Sequence, residues 1–112
     1  MLNDQISVGL QNEISRLLSL DDSISEIAIE VAQCESIHKL AIAQKRIDFK
    51  KESKTTVAAM ADYVTIGVEH EFARFMDAQK RLLVVQEQAK NARSRVRAWR
   101  ALVSVNAGIS AR

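Results

Sequence analysis

The sequence predicts an all-α protein: an elongated antiparallel helical hairpin of two long helices, with a short N-terminal helix and a short connecting helix. Three observations predict it. The 112 residues contain no proline and only three glycines, so little interrupts a helix. Val68, Phe75, Leu82, Ala89, Val96 and Val103 follow one another at seven-residue intervals, and Ala78, Val85, Ala92 and Trp99 each fall three residues after one of them. That is an a/d heptad sustained over five repeats. Finally, 47% of the chain is hydrophobic but only 4% aromatic, and alanine is abundant. Alanine favours helix and contributes little burial, which points to thin packing rather than a thick core. The length fits a single helical domain, residues 1–112.

The first helix is expected over about residues 3–20. Ile6, Leu10, Ile14 and Leu17 have helical spacing, Asn3 or Asp4 offers a cap, and Gly9 weakens the segment. Asp21, Asp22 and Ser23 then read as a new start, because Ser23 followed by Glu26 matches a capping box. The helix that follows, about 22–52, carries Ile24, Ile27, Val31 and Cys34 inward, and the stripe continues through Ile37, Leu40, Ala41 and Ile47. Ser53, Lys54, Thr55 and Thr56 break the pattern, since small polar and β-branched residues favour a turn and a cap. A short helix at about 56–63 would turn Val57, Met60 and Tyr63 inward, and Thr65 would cap the last helix. That helix, about 66–105, has the heptad seam. Ala89 and Ala92 keep the middle of the seam narrow, Phe72, Phe75 and Trp99 fill its ends, and Gly108 is the expected stop.

The net charge of +2 hides an asymmetry. Residues 1–35 hold seven acids against one base, a net of −6, and residues 80–112 hold eight bases against one acid, a net of +7. Lys90, Arg93, Arg97 and Arg100 follow i, i+3, i+7, i+10 spacing and form one stripe. Such a stripe is a candidate surface for nucleic acid or for an acidic partner. Folding helix 22–52 antiparallel onto helix 66–105 gives a second reading. It sets Asp22 to Glu35 beside Lys90 to Arg100, and Lys45, Arg46, Lys50 and Lys51 beside Glu69, Glu71 and Asp77. Charges flanking a heptad seam select orientation in this way. Internal pairing is the favoured expectation, with some arginines left for a partner.

Nothing in the sequence assembles a catalytic or metal site. Cys34 and His38 are four apart and could form half a zinc site, but no second pair has suitable spacing. His70 lacks a second histidine four residues on, and there is no glycine cluster for a phosphate. The expectation is a packed thiol, two histidines on polar faces, no cofactor, no small-molecule substrate and no enzymatic activity. Phe72, Met76 and Leu83 lie off the main stripe, and together with Trp99 they are the interface candidates. They lead to the expectation of a homodimer or higher oligomer and of a protein partner. One cysteine, no secretion signal and no membrane-length apolar run predict a soluble cytoplasmic protein.

Residues 24–106 resemble small helical proteins encoded in tailed-phage genomes. The likeness lies in a first helix, the threonine-containing break at Lys54-Thr55-Thr56, a short helix, and a long alanine- and arginine-rich helix ending in Ala101-Leu102-Val103-Ser104. The resemblance implies an accessory role in DNA metabolism or inhibition of a host enzyme, carried out in the host cytoplasm. It transfers no catalytic residue to this chain.

Overall fold

The computed structural model describes residues 2–52 and 56–110. Three helices account for nearly all of them: α1 (Leu2–Glu52), α2 (Val57–Gly67) and α3 (Glu69–Ser110). There is no strand among the described residues. The predicted all-α hairpin of two long helices with a short connecting helix is the fold of the chain. It folds as two compact units. One combines residues 1–25 with 83–112, and the other comprises residues 26–82.

The expected break between helices 3–20 and 22–52 is absent, because α1 runs through Asp21, Asp22 and Ser23 without interruption. The seam explains why. Buried and half-buried positions alternate by three and four residues through Leu17, Leu20, Ile24, Ile27 and Val31, with no skipped step at the supposed start. A new helix there would have rotated the apolar face off its partner. The capping-box pattern is outweighed, and Ser25 Oγ instead donates to the Asp21 carbonyl one turn back, at 3.2 Å.

The same alternation corrects the second half of the α1 stripe. After Cys34 the inward positions are His38, Ala41, Lys45 and Phe49, whereas Ile37, Leu40 and Ile47 face outward. Keeping the heptad in step required a histidine and a lysine on the inner side, and the apolar residues beside them point to solvent.

In the unit of residues 1–25 and 83–112, the buried core is Ile6, Ala89, Ala92 and Val96. Ala89 and Ala92 have no exposed surface, so the two backbones approach closely there. Trp99 occupies the end of this seam, half-buried over Gly9. In the unit of residues 26–82, the buried residues are Cys34 and Phe49 of α1 with Val64, Val68 and Ala78. The Phe49 and Tyr63 rings lie 5.4 Å apart, and Lys45 Nζ stands 5.9 Å from the centre of the Tyr63 ring. The stem of Lys45 crosses Gly67, where a side chain would meet it at 2.9 Å.

The break of the chain falls where threonines were expected to cap. Thr56 is the N-cap of α2, and its Oγ1 accepts a hydrogen bond from the Ala59 amide at 3.3 Å. The rest of the expected break, residues 53–55, lies outside the described residues. Within α2 Val64 is buried and Met60 and Tyr63 are half-buried on the inner side as expected, while Val57 is 83% exposed rather than inward. Thr65 does not cap α3 but lies inside α2, where its hydroxyl donates to the Ala61 carbonyl at 2.8 Å. A single non-helical residue, Val68, joins α2 to α3, and hydrogen bonds from Val68 N to Val64 O and from Phe72 N to Val68 O span it. Gly108 does not stop α3, which continues to Ser110. Its φ is not positive and nothing crowds it, so it remains an ordinary helical residue.

Candidate functional site

The basic stripe belongs to the unit of residues 1–25 and 83–112. Arg93 reaches Asp21 at 3.3 Å. Lys90, Arg97 and Arg100 are exposed and form no ion pair among the described residues. Of the four stripe residues, one is thus engaged by the fold and three face solvent. A further pair was not anticipated: Arg95 Nε donates to Glu13 Oε1 at 3.0 Å. Glu13 is the less exposed partner, and its second oxygen, Oε2, has no hydrogen-bond partner.

The acidic stretch expected beside this stripe is distributed differently. Glu30, in the other unit, is held by Arg81 through both guanidinium NH groups, and Arg81 Nε also reaches Asp77 Oδ2 at 3.2 Å. The hydrogen bonds from Arg81 hold the Glu30 carboxyl below the usual carboxylate range, against a smaller opposing effect of desolvation. The Arg81 guanidinium is correspondingly raised, chiefly by its hydrogen bond to Glu30. Glu35 pairs along its own helix with Lys39 at 3.0 Å. The antiparallel register is the reason: it sets Glu30 against Arg81, ahead of the basic run, and Glu13 and Asp21 against the run itself. Among the described residues no ion pair joins Lys45, Arg46, Lys50 or Lys51 to Glu69, Glu71 or Asp77.

The interface candidates separate into two groups. Phe72 is 47% exposed and flanks His38, with ring centres 5.5 Å apart, and Leu83 is 65% exposed. Met76 is half-buried, and Trp99 belongs to the packing against Gly9. His38 is therefore not on a polar face, since it sits between Phe72 and Phe75 on the inner side of α1.

A cleft of about 510 Å³ opens in the unit of residues 26–82, where His38 and Ile42 meet Val64, Val68 and Phe72. Its walls are mostly hydrocarbon, with Glu69 and Thr65 also lining it, and they suit an apolar side chain better than a polar substrate. A smaller hollow of about 360 Å³ holds Cys34, His70 and Arg74 beside the Glu30–Arg81–Asp77 cluster. Among the described residues no group of three or more His, Cys, Asp or Glu side chains gathers as a metal ion would need. No helix among them is long and apolar enough to cross a membrane. Comparison with known protein families, with curated proteins and with solved structures finds no match to this chain.

Proposed function

We propose that this chain is a non-enzymatic helical adaptor, an accessory of DNA metabolism that docks on a host or phage protein complex in the cytoplasm. The observation that supports it best is where the apolar residues lie. Among the described residues no large side chain is fully buried, whereas Phe72 and Leu83 present wide hydrocarbon surface from α3. Apolar surface held outward on a rigid helix is what a protein interface uses. The resemblance to small tailed-phage proteins supplies the setting, and the reading needs no cofactor or small-molecule substrate.

The test is site-specific photocrosslinking in lysate from Phe72 and from Leu83, with Gln86 as the control position. The reading expects one protein captured from both apolar positions, and its loss when Phe72→Glu is introduced. Equal labelling from Gln86 would sink it.

A second reading, a small subunit of a nucleoprotein complex, draws support from Lys90, Arg97 and Arg100, which the fold leaves unpaired. A gel shift on duplex DNA that weakens steeply with salt would favour it, because neutralised phosphates release counterions.

A further inference from the structure

The outward face of α1 within the unit of residues 26–82 is a second seam with nothing among the described residues packed on it. Ile29, Ala32, Ser36, Leu40, Ala43 and Ile47 are all exposed and recur at steps of 3, 4, 4, 3 and 4 residues. Ile29 and Leu40 are 60% and 70% exposed. The steps average 3.6 residues, so the row runs straight along the helix for about 27 Å. No charged residue interrupts it.

The row is symmetric in spacing and complementary in size about Ser36. Ala32 and Leu40 stand four residues to either side of it, and Ile29 and Ala43 stand seven. An identical helix laid antiparallel, meeting at Ser36, places each Leu40 in a layer with the other copy's Ala32. It likewise places each Ile29 in a layer with the other copy's Ala43. Large side chains then meet small ones in the layers on either side of Ser36, which close helix packing requires. A parallel copy would set leucine against leucine and alanine against alanine, leaving alternate crowding and gaps.

Charge selects the same orientation. Glu26 lies at one end of the row, and Arg46, Lys50 and Lys51 lie at the other. All four are exposed and form no ion pair among the described residues. The antiparallel copy brings the acidic end of one α1 beside the basic end of the other, and the parallel copy brings the three bases of each together.

We propose that this face binds a second copy of the chain, forming a two-fold antiparallel homodimer centred on Ser36, with Leu40 packed against Ala32 across the interface. The face lies on α1, apart from the α3 side chains that support the adaptor reading, so either can fail without the other.

The experiment uses the full chain with Cys34→Ala as background. Ile29→Cys and Ala43→Cys chains carrying tags of different size are mixed and gently oxidised. The antiparallel dimer joins unlike chains. In a dimer of Ile29→Cys chains alone the two cysteines would sit about 21 Å apart, beyond disulfide reach. Leu40→Glu, tested by sedimentation equilibrium with circular dichroism as the folding control, should weaken self-association by roughly thirtyfold or more. Leu40 is mostly exposed in the single chain, so the helix content should not change. Three results overturn the proposal: a monomer at tens of micromolar, joining of like Ile29→Cys chains, or a dimer whose mass Leu40→Glu leaves unchanged.

Discussion

The Trp99 indole rests directly on Gly9: a Cβ built on that glycine would stand 2.6 Å from Trp99 Cη2 and 2.7 Å from Cζ2. A glycine inside a long helix normally costs about 1 kcal/mol relative to alanine. Here the missing side chain is the space the indole fills. Gly9→Ala should therefore destabilise the protein by about 1 kcal/mol net, because overpacking of about 1–3 kcal/mol outweighs the better helix propensity. In a Trp99→Ala background the sign should reverse, and the same change should stabilise by about 1 kcal/mol. Urea unfolding of the four proteins decides it, and a wild-type chain made more stable by Gly9→Ala would refute the contact.

Among the described residues, Arg95 and Glu13 form the ion pair with the least exposed carboxylate, and one oxygen of that carboxylate is already without a partner. Arg95→Ala should cost about 1–3 kcal/mol, because it leaves the remaining charge poorly solvated. Replacing both, with Glu13→Met and Arg95→Leu, should recover stability to within about 1 kcal/mol of the wild type. Chemical denaturation of the single and double variants is the measurement. A neutral Arg95→Ala would mean that the pair is no more than a surface contact.

Glu30 gives the acid side of the stability profile a defined sign. Its carboxyl is held below its ordinary value of 4.5 in the folded chain, mainly by hydrogen bonding to Arg81. The contribution is fully present above the unfolded value and is lost as pH falls below it, through the depressed folded value. Stability measured from pH 6 to pH 2 should fall less steeply in Glu30→Gln than in the wild type. Both side chains are well exposed, so added salt should shrink the difference. Parallel curves for the two proteins would show that the pair has no linkage to folding.

Arg97→Ala with Arg100→Ala should leave the unfolding midpoint nearly unchanged, within about 0.5 kcal/mol, since neither side chain is engaged by the fold. If the nucleoprotein reading holds, the same double change should flatten the salt dependence of DNA binding by about one unit per lost phosphate contact. Arg93→Ala differs, because it also removes the contact to Asp21. A large stability loss from the Arg97 and Arg100 changes would place these two residues inside the fold instead.

The α3 seam was legible in the sequence because its heptad is carried by residues whose side chains differ sharply from their neighbours, with Ala78, Ala89, Ala92 and Val96 all buried. The α1 seam was harder to read because Glu13, His38 and Lys45 occupy inward positions. Hydrophobicity alone therefore pulled the stripe toward Leu40 and Ile47, which face solvent. The false start at Asp21 to Ser23 had a related cause. The local capping signal there is worth only about 1 kcal/mol, less than the seam that continues on both sides of it. Charge balance suggested the antiparallel arrangement, but the pairing partners depend on register, which end-to-end charge does not specify. The link between Gly9 and Trp99 left no trace in the sequence beyond an unexplained glycine.

Ala78, Ala89 and Ala92 have no exposed surface at all. Every substitution there except glycine adds volume, and glycine forfeits about 1 kcal/mol of helix propensity. The inner and outer faces of α3 should consequently drift at very different rates under random mutagenesis. A library sorted only for folded protein would keep these three positions almost fixed while Leu83 and its exposed neighbours diversified. The chain would then be free to change what it touches while its two long helices stayed at the same spacing.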